Sequence, residues 1–444
     1  MLEGPPLLIV FIAAIVFIIL MTARVKMNAF LVLLFASFGV GLLSGMAPLA
    51  VIETVTKGFG GILGYIGIVI ICGTIIGTIL EKSRATLTMA NTVLAIVGKA
   101  RSALAMSVTG AVVSISVFCD SGFVILSSLN KTLAKKSGLS MATMAVALSS
   151  GLYATHTFVP PTPGPIAAAG NLEADIGIVI LFGLLVSLPA VTAGFLWASW
   201  IGSRIYIEPD VPLETESDTG PLPKVLGAFA PIVVPIFLIT LKSIADFPGH
   251  PFGEGTIRLF FDFFGDPTVA LLLGVCLAFL LIPKWSGEYL NGWVGEGLKN
   301  AAAIIMITGA GGAFGAILKA TAIGDFLSVS LAEYRLGILL PFIIAAALKT
   351  AQGSSTVALI TTSALVAPML PDMGLGSEAG RALTVISIGA GAMIMSHAND
   401  SYFWVVSQFS GLDTTTAYKT HSVATLIQGV TAMAAVFLLS LIVV

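Results

Sequence analysis

The amino-acid sequence predicts an all-α polytopic membrane protein: about ten transmembrane helices plus two re-entrant hairpins, in two inverted-topology repeats with broken helices at the midplane. Three observations predict it. Of 444 residues, 57% are hydrophobic and only 10% charged, with a mean hydropathy of +1.03. A soluble globular domain carries about 25% charged residues and has no means of hiding so much apolar surface. Apolar runs of about 20 residues, the length that crosses a bilayer, recur along the chain. The stretch 151–170, GLYATHTFVPPTPGPIAAAG, is apolar at its flanks but interrupted by Pro160, Pro161, Pro163 and Pro165. Proline lacks an N–H and its ring clashes with the preceding turn, so helix should be lost over residues 155–165. Lipid cannot satisfy the carbonyls released there. The break must face protein or a wet cavity.

Taken in order, spanning runs begin near Pro6, Asn28, Gly60, Met141 and Asp175, and resume near Lys224, Pro267, Asn300, Gly380 and Tyr418. Between the two sets, residues 207–223 (IEPDVPLETESDTGPLP) are acidic and proline-rich, the composition of a polar cytoplasmic linker joining an N-terminal repeat, 1–206, to a C-terminal repeat, 224–444. The first run, MLEGPPLLIVFIAAIVFIIL, has neither a basic flank nor a small-residue cleavage site, and is expected to be a spanning helix. Polar-faced pieces at 85–98 and 284–299 fit helices lying in the membrane interface.

Two apolar stretches do not fit single crossings. Residues 102–130 are flanked by Lys99 and Arg101 on one side and by Lys131, Lys135 and Lys136 on the other. Basic residues favour the cytoplasmic side, and a re-entrant hairpin keeps both clusters there, with Phe118-Cys119-Asp120-Ser121-Gly122 as its tip. A second hairpin is expected near 336–370, with Gln352-Gly353-Ser354-Ser355-Thr356 as its tip. With the N-terminus outside, this topology places fourteen Lys/Arg inside and six outside, with Lys349 in the second hairpin.

The halves correspond. GTIIGTIL (73–80) matches GGAFGAIL (311–318), each with small residues four apart, the pattern of close helix packing in membranes. A hairpin tip follows in each half. GLYATHTFVPPTPGP is then matched by GAMIMSHANDSYFWV (391–405), which aligns His156 with His397. An odd number of spans per half inverts the second half relative to the first. Inverted repeats with broken helices meeting at mid-membrane are a recurrent transporter architecture.

A charge at the bilayer centre costs about 2.5–3.5 kcal/mol on insertion scales, so intramembrane charges need a partner or a purpose. Asp120, His156, Lys349, His397 and Asp400 all lie in or beside the tips and breaks. The bland reading is buried ion pairing, with Lys349 balancing Asp120 or Asp400. The functional reading is proton coupling, because histidine titrates near neutrality. Sodium coupling through unwound backbone oxygens is the alternative, and Lys349 disfavours a neighbouring cation. Helix N-termini at the tips present N–H groups and a positive dipole end to an anion. Candidate ligands there are Ser121, Gly122, Gly353, Ser354, Ser355 and Thr356, with Thr157, Thr162, Ser396 and Asn399 added from the breaks. Hydroxyls in membrane helices also serve simply as packing, and for any one of them that is an equal reading. No GxxxxGK[ST] loop is present for ATP hydrolysis, and no HExxH for metal-assisted hydrolysis. The three cysteines all lie in apolar segments, where a disulfide framework is not expected. The net charge of −2 says nothing about partners, since in membrane proteins the position of charges matters more than their sum; no nucleic-acid partner, cofactor or metal is expected. A channel would need a continuous polar path, whereas the polar residues here concentrate at mid-depth.

At these residues the sequence resembles the gluconate permease (gluconate:proton symporter) family of the ion transporter superfamily. The likeness is densest in GYIGIVIICGTIIG, GKARSALAMSVTGAVVSISVFCDSGFVILSSLNK and ATMAVALSSGLYATHTFVPPTPGPIAAAGNL, and returns at SHANDSYFWVVSQF. Ser116 stands where the family pattern would place proline. The resemblance implies a bacterial inner-membrane symporter for small hydroxy- or amino-carboxylates. It also implies a homodimer in which each subunit moves a transport domain against a scaffold, in the manner of an elevator. Carried over, the site falls on Asp120–Gly122, His156–Pro163, Gln352–Thr356 and His397–Ser401, which adds Gln352 and Ser401 to the candidates. The expected function is proton-coupled import of gluconate or a close relative, with D-serine, glycerate and other sugar acids as alternative substrates. No enzymatic activity is expected.

Overall fold

In the computed structural model, residues 2, 5–98, 101–202, 204–210, 221–245, 255–321, 336–397 and 400–444 are described. The described residues are helical or in short connections. The first half runs α1 (Pro5–Ala23), α2 (Ala29–Leu43), α3 (Pro48–Lys82), α4 (Ala85–Val97), α5 (Ser102–Val113), α6 (Cys119–Ser137), α7 (Met141–Phe158), α8 (Pro163–Leu172) and α9 (Ile176–Gly202). The second runs α10 (Val225–Ala245), α11 (Thr256–Phe264), α12 (Pro267–Phe279), α13 (Gly287–Ala320), α14 (Leu339–Gln352), α15 (Ser355–Val366), α16 (Glu378–Ala392), α17 (Ser401–Phe409) and α18 (Thr414–Ala417). A π-helical turn, Tyr418–Ser422, then leads into α19 (Val423–Val443). Most of the expected linker, 211–220, lies outside the described residues.

The order of elements recurs. A helix of 35 residues (α3) and one of 34 (α13) each precede a helical hairpin, α5–α6 and α14–α15. Each hairpin is followed by a broken helix, α7–α8 and α16–α17, and by a long apolar helix, α9 and α19. Among the described residues, four helices are long and apolar enough to cross a membrane, and six if two bent pairs each count as one span. This is fewer than the ten runs counted in the sequence. The other apolar runs correspond to shorter apolar helices, among them Pro6–Ile18, Ala29–Leu43 and Leu339–Ala351. α3 bends by 48° near residue 66, within a run holding Gly60, Gly61, Gly64 and Gly67, the kind of sequence at which helices kink.

Several boundaries differ from expectation. The span expected from Gly60 begins at Pro48, a proline at the first helical position, where its missing N–H costs nothing. The piece 284–299 is not a separate interfacial helix. From Gly287 it is the start of α13, which runs on unbroken, and Glu296 pairs with Lys82 of α3 at 2.9 Å. The break in the proline segment is shorter than 155–165. α7 continues to Phe158 and α8 restarts at Pro163 with Thr162 as its cap residue. Pro163 and Pro165 sit in the first turn of α8, where proline is tolerated. Only residues 159–162 are non-helical, and they are buried in protein.

Close backbone contacts set these pieces. A Cβ on Gly151 of α7 would run into the Ser107 carbonyl of α5, so the first hairpin lies directly on α7. A Cβ on Gly77 of α3 would strike the Ser116 carbonyl at the hairpin tip, and one on Gly73 would lie 2.8 Å from the Pro161 carbonyl in the break. The GTIIG motif therefore receives both irregular segments of the first half, in the small-residue packing that membrane helices use where hydrophobic attraction is absent. Its counterpart on α13 packs against α15, with Gly311 beside Ile360 and Gly315 beside Ala364.

Candidate functional site

A cavity of about 410 Å³ opens where three helices begin. Its wall contains Phe118, Cys119 and Asp120 at the start of α6; Ser354, Ser355, Thr356 and Val357 at the start of α15; and Asp400, Ser401 and Tyr402 at the start of α17. The first four N–H groups of a helix have no partner within it, and three such ends facing one space give it a positive dipolar lining. Gly353, Tyr153 and His156 of α7, and Ile304 and Ile307 of α13 complete the wall.

The first tip turns earlier than the sequence implied. Residues 114–118 form the connection, and Asp120, Ser121 and Gly122 occupy the first turn of α6. An acidic residue is stabilised there by the helix dipole. Asp120 Oδ2 accepts from the Ser401 hydroxyl at 3.2 Å. Its other oxygen, Oδ1, is buried and finds no hydrogen-bond partner among the described residues. His156 is 5% exposed, packs against the Phe118 ring at 5.9 Å between centroids, and has a buried Nδ1 likewise without a partner there.

The second tip is a tight turn. Gly353 adopts φ of 93°, in the left-handed region that a Cβ disfavours, and ends α14. Ser354 then caps α15, its Oγ accepting from the Val357 N–H at 3.3 Å. Lys349, one turn before the tip, donates to the Gly353 carbonyl and to Asp400 Oδ2 at 2.6 Å. Asp400 caps α17 by accepting from the Tyr402 N–H at 3.1 Å, and its Oδ2 also accepts from the Ser396 hydroxyl at 2.5 Å. Lys349 therefore pairs with Asp400, not Asp120, and one carboxylate holds the two broken segments of the second half together.

The structure brings Asp120, His156, Gly353, Ser354, Ser355, Thr356, Asp400 and Ser401 to one cavity, with Lys349 and Ser396 directly behind it. It does not bring the other candidates there. Thr157 bonds back to the Tyr153 and Ala154 carbonyls of its own helix, as a hydroxyl in a helix interior commonly does. Thr162 donates to the Val159 carbonyl at 2.6 Å and so serves the break itself. Ser121 hydrogen-bonds Glu81 of α3, and Gly122 packs on Leu152. His397 Nε2 lies 2.9 Å from the Thr350 carbonyl, which can only accept, so that nitrogen carries hydrogen and links the break to α14. Gln352 is the last residue of α14, and Asn399 lies outside the described residues.

Sequence reasoning put Phe118 and Cys119 in the first tip without counting them as site residues, and it missed Tyr153, Val357, Tyr402, Ile304 and Ile307. Two of these had a signal. Tyr153 is three residues before His156, hence on the same helix face, and Tyr402 is two residues after Asp400. The two tyrosine rings pack tilted by 39° at 5.2 Å between centroids, and Lys349 Nζ stands 5.8 Å from the Tyr153 ring, within cation–π range. Nothing in the local pattern of α13 marks Ile304 or Ile307. Among the described residues no three His, Cys, Asp or Glu side chains converge as metal ligands would.

Comparison with known proteins gives a consistent result. The profile described as "GntP family permease" matches residues 6–442. The gluconate permease of Pseudomonas aeruginosa is 35% identical over 97% of both chains. The D-serine transporter DsdX of Escherichia coli K12 is also 35% identical over 97% of both. Among solved structures, MtrF of Neisseria gonorrhoeae, from a class of antimetabolite efflux pumps, superposes with a TM-score of 0.68 at 16% identity, covering 94% of this chain and 96% of its own. At that identity the likeness concerns the fold.

Proposed function

This chain belongs to the GntP family of permeases and is a multi-pass membrane transporter, and we propose that it imports gluconate or a closely related small hydroxy-carboxylate together with a proton. The observation that carries the proposal is the cavity where α6, α15 and α17 begin, bordered by Asp120, one of whose oxygens lacks a partner among the described residues. The substrate carboxylate docks on the N-terminal end of α15, where backbone N–H groups, the dipole and the hydroxyls of Ser354, Ser355 and Thr356 coincide. Substrate hydroxyls meet Ser401.

Charge balance supports proton coupling. With Asp120 and Asp400 ionised, Lys349 neutralises only one of them, and the cavity repels an incoming anion. A proton on Asp120 removes that repulsion, so anion and proton each favour the other's binding. This reciprocity is what a symporter needs. Asp120, whose buried Oδ1 has no partner among the described residues, is where the proton is taken up, and His156 of α7 shares the same cavity wall.

The two halves, 1–206 and 224–444, are proposed to be inverted repeats. The recurring order of long helix, hairpin, broken helix and long helix supports this. α3 and α13, which pack along each other, form the fixed frame, and the hairpins with the broken helices form the moving part of an elevator. Two copies are proposed to associate in a bacterial inner membrane, in keeping with the bacterial relatives.

One observation favours a second substrate. An ammonium group beside Asp120 in the cavity would supply the positive charge that the proton otherwise brings. A zwitterion such as D-serine therefore fits the same cavity. The deciding experiment is uptake of radiolabelled gluconate into sodium-free proteoliposomes under an inward pH gradient, challenged with glycerate, D-serine and sugar acids. Displacement by hydroxy-carboxylates and not by D-serine supports the first reading. Displacement by D-serine alone, or uptake that needs sodium, overturns it.

A further inference from the structure

Behind the ion pair lies a histidine that the cavity wall does not include. His421 is fully buried, in the π-helical turn Tyr418–Ser422, together with Thr420 and Ser422. Single π turns inside helices recur at functional positions. Here the turn faces the break between α16 and α17. The Ser396 N–H donates to Thr425 Oγ1 at 3.0 Å, and the Ser422 hydroxyl donates to the Ser396 carbonyl. The backbone of Ser396 is thus gripped from the π turn and from the first turn of α19.

The side chains complete a directed path. His421 Nδ1 lies 3.2 Å from Ser149 Oγ on α7, and Nε2 lies 3.2 Å from Ser396 Oγ. Ser396 Oγ is 2.5 Å from Asp400 Oδ2, which is 2.6 Å from Lys349 Nζ. A hydroxyl has one proton to give, and a carboxylate can only accept. The Ser396 proton therefore goes to Asp400, and Ser396 Oγ receives hydrogen from His421 Nε2. Nδ1 of the neutral ring and the Val146 carbonyl, each 3.2 Å from Ser149 Oγ, then compete for the one Ser149 proton. Among the neutral tautomers only the one with hydrogen on Nε2 serves Ser396, and the Tyr402 ring packs edge-on against the imidazole at 5.4 Å between centroids.

We propose that His421 is a positioning residue for the transport cavity. As a neutral donor it fixes Ser396, which orients the Asp400 carboxylate, which in turn holds Lys349 at the tip of the second hairpin. It touches no substrate. The proposal rests on the cavity being the substrate site, and it requires a donor at Nε2, not a ring that titrates. The amide nitrogen of glutamine reaches about the same position, whereas leucine offers no donor.

The test uses the full chain carrying His421→Gln, His421→Leu, Ser396→Ala and the double change His421→Leu with Ser396→Ala. Two quantities are read: the KM for radiolabelled gluconate in proteoliposomes, and the thermal unfolding midpoint in detergent without substrate. His421→Gln is expected to keep a KM near that of the unaltered chain. His421→Leu and Ser396→Ala are each expected to raise it by about tenfold, the scale of a hydrogen bond to a charged group. The double variant should be no worse than the poorer single one, in KM and in midpoint alike. Additive losses, or a folded His421→Gln as impaired as His421→Leu, overturn the assignment. Should His421→Leu fail to fold, Ser396→Ala and His421→Gln decide by the same KM comparison. If the unaltered chain takes up no carboxylate, the transport reading fails. Additivity of the midpoints still decides whether His421 and Ser396 act as one unit.

Discussion

Lys349 and Asp400 form an ion pair of 2.6 Å whose side chains are 1% and 7% exposed. They are 51 residues apart, on a hairpin and on a broken helix, and their contact joins the two irregular segments of the second half at one point. A buried pair of this kind is weak support for stability by itself, since desolvation offsets most of the attraction. Breaking it from one side is another matter.

Removal of either charge alone, by Lys349→Met or Asp400→Asn, should cost about 3–5 kcal/mol, because it strands the remaining group in the interior. The double variant Lys349→Met with Asp400→Leu should be less destabilised than either single one. Thermal unfolding in detergent gives all three values. Equal or greater loss in the double variant would mean that the charges act independently.

The hydroxyl candidates separate by what they already bind. Ser355→Ala and Thr356→Val, at the cavity wall, should raise the KM for substrate by about three- to tenfold, the equivalent of one hydrogen bond. Thr157→Val should leave KM unchanged, since that hydroxyl is spent on its own helix. Initial-rate uptake measures the contrast, and a Thr157 effect as large as that of Ser355 would place the substrate elsewhere.

Gly77→Ala tests the packing that sets the first hairpin. The added methyl meets the Ser116 carbonyl, a backbone atom that cannot rotate away. Overpacking of this sort costs about 1–3 kcal/mol. Gly39→Ala is the control, in a helix with open space where its Cβ would lie. There the change should be neutral or stabilising by about 0.5–1 kcal/mol, the helix penalty of glycine. Matching unfolding midpoints for the two variants would contradict the close approach.

The elevator reading has a handle at the end of α8. Glu173 pairs with Lys319 of α13 at 2.9 Å and with Arg381 of α16 at 3.6 Å. Glu173 and Lys319 lie on the proposed moving and fixed parts. In a background lacking Cys72, Cys119 and Cys276, cysteines at 173 and 319 joined through two disulfides by a short bis-thiosulfonate reagent should stop uptake, and reduction of those disulfides should restore it. Undiminished uptake by the joined protein would rule out relative motion there.

Much of this was legible in the chain because membrane physics is severe. Prolines within an apolar run, and charges amid hydrocarbon, can mean little other than a break and an internal cavity. Asp120, His156, Ser354 and Asp400 were found on that logic. What local pattern could not give was the use each hydroxyl had already found. Thr157 and Ser355 look alike in sequence, yet one is bonded to its own helix and the other borders the cavity. The lengths of the breaks were also overestimated, since Pro163 and Pro165 start a helix as readily as they end one. Ile304, Ile307 and His421 reach the site or its support only through tertiary contact, and no spacing within their own segments announces it.

The central claim is that Asp120 carries the proton that accompanies a carboxylate substrate. Gluconate uptake by the unaltered chain and by Asp120→Asn, each in sodium-free proteoliposomes with an imposed inward pH gradient, tests it most directly. The account predicts saturable accumulation by the unaltered chain. For Asp120→Asn it predicts exchange of internal for external gluconate without accumulation, with folding intact. Accumulation by Asp120→Asn at the unaltered rate would contradict it.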